Sequence, residues 1–518
     1  MIGFAAQHRH VFAALLIGIC ANATTASAQS ARDDTWPFPR QIQYQPDWDE
    51  ARHALGAMSL PAPGDDVLAG ATALTATVFP EIAKSPVPVL LPFALADYAH
   101  EVATDAAGPV DSYTFGFAPT RFVFAGPTGY DAAFSLSLQD HPDLGDINFA
   151  NPVMVLISGF NLHYELPAPK GAIRMSTGAL GRNFPGLRKQ ILESTLHYSF
   201  ERYGISYVVA IQCFNGAQRR KRLSCRNADR IGTRFVQALR LVGGNPQITA
   251  QKPQPVALDR PSGMSDAFAY HTPGQLIPKT AMRAPDGDPD PHVYARIRFP
   301  LAQAPAYVNS EAFRRRDPER RAAAAGAADL DPAVHPWRDN FCERRHFFVG
   351  QCPAGLGHQG QDIRGASCVP DGKQITCKVN HDVVVAARDG MIQREDWQNS
   401  FFLVTNADGE RLRFRHLHMH PRHLDKDGIE SGRMVAEGEP IGTVSNFSRR
   451  PGLTSTHLHF EILVPTRDGW VRVNPYMTLV ASYEHLIGGR GEALGDDSAA
   501  GQAQGGAQPE PASATSDE

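Results

Sequence analysis

In the heptapeptide Thr456-His457-Leu458-His459-Phe460-Glu461-Ile462, polar and apolar side chains alternate from His457 onward. A period of two fits a β-strand and not a helix. In such a strand His457 and His459 project to one face, while Leu458 and Phe460 enter a core on the other. The stretch from Arg413 to His420 alternates in the same way, which predicts a common face for His416 and His418. From Trp337 onward, short apolar runs recur at 383–387, 401–405, 412–417, 441–445 and 458–464, separated by Gly-containing turns. That texture predicts a mostly β C-terminal domain built on antiparallel sheet, spanning 336–487.

The rest of the 518 residues divides by composition. Residues 1–28 have a short segment with His8, Arg9 and His10, an apolar stretch of about ten residues, and Ala26-Ser27-Ala28 before polar sequence begins; this reads as a secretory signal peptide cleaved after Ala28. The apolar stretch is well short of the ~20 residues that span a bilayer. Cys20 follows Ile19 rather than a small residue, which argues against a lipoprotein signal. Residues 29–250 read as a mixed α/β region of unknown role. Within it, strands at 153–157 and 207–211 flank an amphipathic segment from Leu187 to Tyr203 that predicts a helix, and a second helix is expected over 229–242, stopped by Gly243-Gly244. Residues 251–335, rich in Pro, Asp and Ala, read as a linker with one exposed helix around the basic run Arg314–Arg321. The Gly-, Ala-, Ser- and Gln-rich end, 488–518, is expected to be disordered.

Composition narrows the function. The formal net charge of −4 gives no basic face for a nucleic acid. Removing Cys20 with the signal leaves an even set of six cysteines, which in an exported chain favours disulfides; the short spacings point to Cys213–Cys225, Cys342–Cys352 and Cys368–Cys377. No C-x-x-C pair is present, so a structural zinc site of that kind is not expected. There is no Gly-x-Ser-x-Gly, no P-loop and no His-Glu-x-x-His, and His100-Glu101 lacks the second histidine of the last motif.

What remains is metal chemistry. A catalytic zinc takes three protein ligands and keeps a further position open. Gly357-His358-Gln359-Gly360-Gln361-Asp362 supplies two candidates, and Gly360 favours a tight loop or bulge that turns both side chains toward one ion. Of the histidines on the 456–462 strand, one can bind the metal and the other can act beside it as acid or base. His420 and His423 are expected to be solvent-exposed in the loop that follows, and neither His346 nor His381 has a partner at ligand spacing.

The combination of His-x-Gly-x-Asp at 358–362, an aromatic-x-His-Leu strand at 414–417, and His-x-His-Phe-Glu at 457–461 resembles the lysostaphin/LytM family of zinc metallopeptidases, family M23. The connecting segments 383–390, 438–442 and 473–475 are similar as well, and the resemblance covers roughly 350–477. It implies a single Zn2+ held by His358, Asp362 and His459, with His457 as the catalytic histidine beside it. The second catalytic histidine is His416 or His418, with a slight lean to His418. Gln361 departs from the family, where an aliphatic residue is usual. The implied activity is hydrolysis of peptidoglycan stem peptides by a periplasmic or secreted endopeptidase. The alternative is a non-enzymatic LytM-like regulator of another wall hydrolase; such regulators typically lack one or more of the motif residues, all of which are present here.

Overall fold

The computed structural model describes residues 36–494 except 59–65, 137–140, 146, 148–152, 214–222, 249–259, 276–289, 309–335, 372–373, 396–400, 406–409 and 449–453. These belong to the compact unit Thr35–Glu518; the expected signal peptide falls in the other unit, Met1–Asp34, and lies outside the described residues, as do the basic run Arg314–Arg321 and residues 495–518.

Two antiparallel sheets dominate. The N-terminal one has seven strands in the order Phe117–Gly126, Gly129–Leu136, Met154–Phe160, Ile205–Gln212, Thr195–Arg202, Arg188–Leu192 and Ile173–Met175. Helices Trp48–Gly56, Val67–Ala76 and Cys225–Ala238 contribute Leu55, Leu68, Ile231 and Phe235 to the core on one of its faces. Asp47, Asp66 and Ser224 cap these helices by accepting from first-turn backbone N–H groups. The region is therefore mixed α/β, as expected, but not through a strand-helix-strand unit. The segment predicted as a helix over 187–203 is a hairpin of two strands, Arg188–Leu192 and Thr195–Arg202. Leu196, Tyr198 and Phe200 alternate with His197 and Ser199, and the two sets face different layers. The second expected helix ends at Ala238, and Arg240–Gly243 forms a short strand.

The C-terminal sheet has the order Tyr307–Val308, Gln361–Arg364, Leu458–Thr466, Arg413–Leu417, Phe401–Thr405, Gly390–Arg394 and Met434–Val435, with Gly469–Val473 paired to Leu458–Thr466. Leu458, Phe460 and Ile462 enter its core with Phe414 and Ile363, on the face the alternation assigns them. Residues read as a linker belong to this core: Val293, Tyr294, Ile297, Phe299 and Leu301 are buried there, and Met264–His271 pairs in parallel with Arg490–Leu494, the latter from the stretch expected to be disordered. All three short-range disulfides are present.

The sheets pack face to face. Arg413, Arg415 and Leu417 pair with Leu463, Glu461 and His459, so these side chains share one face of the C-terminal sheet. Onto that face the N-terminal sheet places Phe160 and Val208, which pack with Leu463 and Trp470. At the centre Asp131, fully buried, receives Arg411 at 2.7 Å and Arg413 at 2.6 Å, and the Arg413 guanidinium lies 3.9 Å from the Trp470 ring centroid. Burial alone would raise the Asp131 pKa, but the two guanidiniums outweigh it and hold the carboxyl below its ordinary value.

Asp131→Asn leaves two buried cations with no counter-charge and is expected to cost roughly 3–5 kcal/mol at neutral pH. Because the folded-state pKa is depressed, the aspartate's contribution is present above the ordinary carboxylate range and is lost as the pH falls toward the depressed value. Urea denaturation of both proteins from neutral to acid pH checks this, and equal midpoints at pH 7 would remove the clamp.

Candidate metal centre

Asp362 lies directly across from His459 in the antiparallel pair of Gln361–Arg364 with Leu458–Thr466. Cross-strand partners put their Cβ atoms ~5 Å apart on the same face. Gly360 lets the ligand loop close onto this strand, since a Cβ there would run into the Phe460 carbonyl. His358 reaches in from before the strand. Its backbone N–H donates to the Glu343 carbonyl at 2.8 Å, its own carbonyl accepts from Cys342, and so the Cys342–Cys352 loop fixes its height over the sheet.

Around Asp362 Oδ1 stand three imidazoles: His459 Nδ1 at 3.1 Å, His358 Nε2 at 3.3 Å and His457 Nε2 at 3.3 Å. His358 Nε2 and His459 Nδ1 are themselves 3.1 Å apart. His358, Asp362 and His459 offer one ligand atom each, all within 4.8 Å of one another, and this group could hold a metal ion.

The outer edge of each ring supports that use. His358 Nδ1 donates to the Asn340 carbonyl at 2.9 Å, His457 Nδ1 to the Ser455 carbonyl at 3.0 Å, and His459 Nε2 to Glu461 Oε1 at 3.0 Å. Each acceptor has no proton to give, so each ring keeps an N–H on the outside, and the inner nitrogen is the one that can give up its proton to a metal. Burial alone would raise the Asp362 pKa, but His358 and His457 outweigh it and hold the carboxyl well below its usual range; burial alone would lower that of His459, but Asp362 and Glu461 raise it.

The two remaining candidate histidines separate. His416 does not share a face with His418: it pairs with Phe460 on the core side, and its ring packs edge-on against Phe460 at 5.2 Å. Burial pushes its pKa down to about 3. His418 follows the end of the strand with φ +71°, a left-handed conformation that interrupts the alternation and turns its ring to the site. Its ring centroid is 4.8 Å from that of His457 and 6.1 Å from that of His459, and its Nδ1 donates to the Phe447 carbonyl at 3.1 Å. Burial, with His457 and His459 alongside, pushes its pKa down to about 3. His420 and His423 stack on each other at 5.0 Å, half-buried, outside the group.

Several supporting residues went unread in the sequence. Glu461 follows His459 by two on the strand, so its orienting role was available from alternation alone. Gln361, at the position where an aliphatic residue is usual in the resembling family, is fully buried. It accepts from the Asn340 N–H at 3.0 Å and donates to Asp339 at 2.6 Å and Asn474 at 3.1 Å, holding the residue whose carbonyl orients His358. Behind Glu461 runs a buried chain of alternating charge, Glu395–Arg415–Glu461–Arg472–Glu193. In this array each guanidinium is held between two carboxylates, and Glu461 is held between two guanidiniums beside His459.

No family model and no curated protein matches the chain. Two solved structures are similar over part of it. One, designated a candidate glycyl-glycine endopeptidase lytM from Ruminococcus gnavus ATCC 29149, has 20% identity over 26% of this chain and 49% of that one, with a TM-score of 0.19. The other, the antimicrobial peptidase lysostaphin from Staphylococcus simulans, has 19% identity over 30% and 50%, with a TM-score of 0.17. Each match spans about half the length of the solved chain.

His358→Ala and His459→Ala are each expected to abolish stoichiometric metal binding, whereas His416→Leu leaves it intact. Metal content of the purified proteins after dialysis against zinc distinguishes the two; loss of metal in H416L would return that histidine to the site.

Proposed function

We propose that this chain is a zinc-dependent endopeptidase hydrolysing peptide cross-links of peptidoglycan in the cell envelope. The observation that carries the reading is the convergence of three imidazole nitrogens on one buried carboxylate, each ring fixed by an acceptor on its far side. A His-Asp-His set of nitrogen and oxygen donors fits zinc in its catalytic form, with a position left open. Bound there, zinc would supply a water of lowered pKa and polarise the scissile carbonyl. The assignment of peptidoglycan as substrate rests on the motif resemblance at 358–362 and 457–461. Three disulfides are in keeping with an oxidising compartment, periplasmic or extracellular. No helix among the described residues is long and apolar enough to cross a membrane.

The chain's own groups divide the proton work. His457 Nε2, on the inner edge of a ring whose Nδ1–H is engaged by Ser455, is the proton acceptor for the attacking water. His418, anchored through Nδ1 to Phe447, offers Nε2 as a second proton station beside His457; on receiving the proton that His457 has taken from the water, it hydrogen-bonds the developing oxyanion or gives that proton to the leaving amine. Glu461 holds His459 in one orientation and moves no proton. The two acting histidines are each held by a backbone carbonyl, His457 by that of Ser455 and His418 by that of Phe447.

Incubating the full chain with purified muropeptides, with and without chelator, and identifying products by mass tests the reading. Chelator-sensitive cleavage of a peptide bond is expected. His457→Ala and His418→Ala should retain metal and lower kcat by on the order of 10²–10⁴-fold. No product of its own, together with zinc-independent stimulation of another wall hydrolase, would replace the enzyme by a regulator.

A further inference from the structure

Glu193 lies far from the histidines in sequence, at the tip of the hairpin joining Arg188–Leu192 to Thr195–Arg202 in the N-terminal sheet. Both residues of that two-residue turn are left-handed, Glu193 with φ +54° and Ser194 with φ +61°. Such turns are normally made by Asn and Gly. A glutamate there is strained, and strain of this kind persists where the surroundings over-determine it. Here they do. The Glu193 carboxylate is buried and accepts from the Gly350 N–H at 2.9 Å, from the Arg472 N–H at 3.1 Å and from Arg472 Nη1 at 3.0 Å, while the Ser194 carbonyl accepts from Cys213 N–H at 2.9 Å.

The Arg472 and Gly350 contacts lead to the candidate ligands. Arg472 Nε donates to Glu461 Oε2 at 2.6 Å, and Glu461 Oε1 receives His459 Nε2 at 3.0 Å. Gly350 sits in the Cys342–Cys352 loop, whose Glu343 and Cys342 backbone groups clasp His358. Lys170 and Gln351 tie the same loop to 167–170 of the N-terminal region through Pro353 and Pro167 carbonyls. One carboxylate of the N-terminal sheet therefore touches the supports of two of the three candidate ligands.

We infer that Glu193 is a positioning residue for the metal centre, acting on His459 through Arg472 and Glu461 and on His358 through the Cys342–Cys352 loop, so that the N-terminal sheet is part of the metal site's support. This rests on the metal-binding reading above. Outer partners of ligands typically change metal affinity 10–100-fold when removed, and one removed by a further residue belongs at the lower end.

The test uses the full chain and measures zinc affinity by competition with a chromophoric chelator, independent of any peptidase assay. Glu193→Gln is expected to weaken zinc binding about 10-fold while far-ultraviolet circular dichroism is unchanged. Glu461→Gln should weaken it as well, and the double variant by less than the product of the two, because both act on one chain of contacts. If E193Q does not fold, Arg472→Lys, which keeps the charge but loses the fork, takes its place in the same cycle. Unchanged affinity in folded E193Q, or a double variant whose loss equals the product, overturns the inference. A wild-type chain that binds no zinc overturns instead the reading on which it rests.

Discussion

The pairing of Asp362 with His459 across two antiparallel strands is the constraint around which the site is arranged. It sets a carboxylate and an imidazole side by side at a separation fixed by sheet geometry rather than by side-chain flexibility. Everything nearby serves that pair: Gly360 permits the approach, Leu458 and Phe460 anchor the strand from below, and the disulfide loop lowers His358 onto it. A site built on strands is held more tightly than one built on loops. His358, His457 and His418 reach it from just outside the strands, and each is tied by backbone hydrogen bonds or by a carbonyl on the ring.

Two kinds of buried charge join the sheets. Asp131 with Arg411 and Arg413 sets one carboxylate against two guanidiniums in the middle of the interface and serves attachment. The array from Glu395 to Glu193 runs along the edge nearest the histidines, with carboxylates in the majority. In a medium of low dielectric such a residue of charge is costly unless it faces its complement. The difference between the two clusters follows from position on one continuous sheet face, since Arg413 and Arg415 are only two residues apart.

The C-terminal site was legible because its signals are local. Period-two alternation at 456–462 and a glycine within 358–362 are properties of short windows, and each constrains the backbone directly. The same reasoning failed at His418, where one left-handed residue reverses the face that alternation predicts and no glycine or asparagine marks the reversal. It failed again at 187–203, because Glu193-Ser194 carries none of the usual turn residues and both flanking strands are buried on two sides, which blurs the contrast between faces. The proline content of residues 291–308 reads as a linker, yet an extended segment laid over a sheet needs no periodicity to be buried. Gln361 shows the remaining limit: a polar side chain in a core position is meaningful only through partners distant in the chain, Asp339 and Asn474.

The left-handed residue at His418 has a consequence for how this region can vary. His416 fills the core against Phe460, His418 faces the candidate metal, and Met419 is buried again, close against Gly442. Three neighbouring positions thus serve core, site and core within a single step of backbone reversal. Adding or deleting one residue between 416 and 419 would exchange these assignments outright, so length variation among chains of this kind should gather after Pro421 and before Phe401, leaving the span of the reversal itself invariant in length.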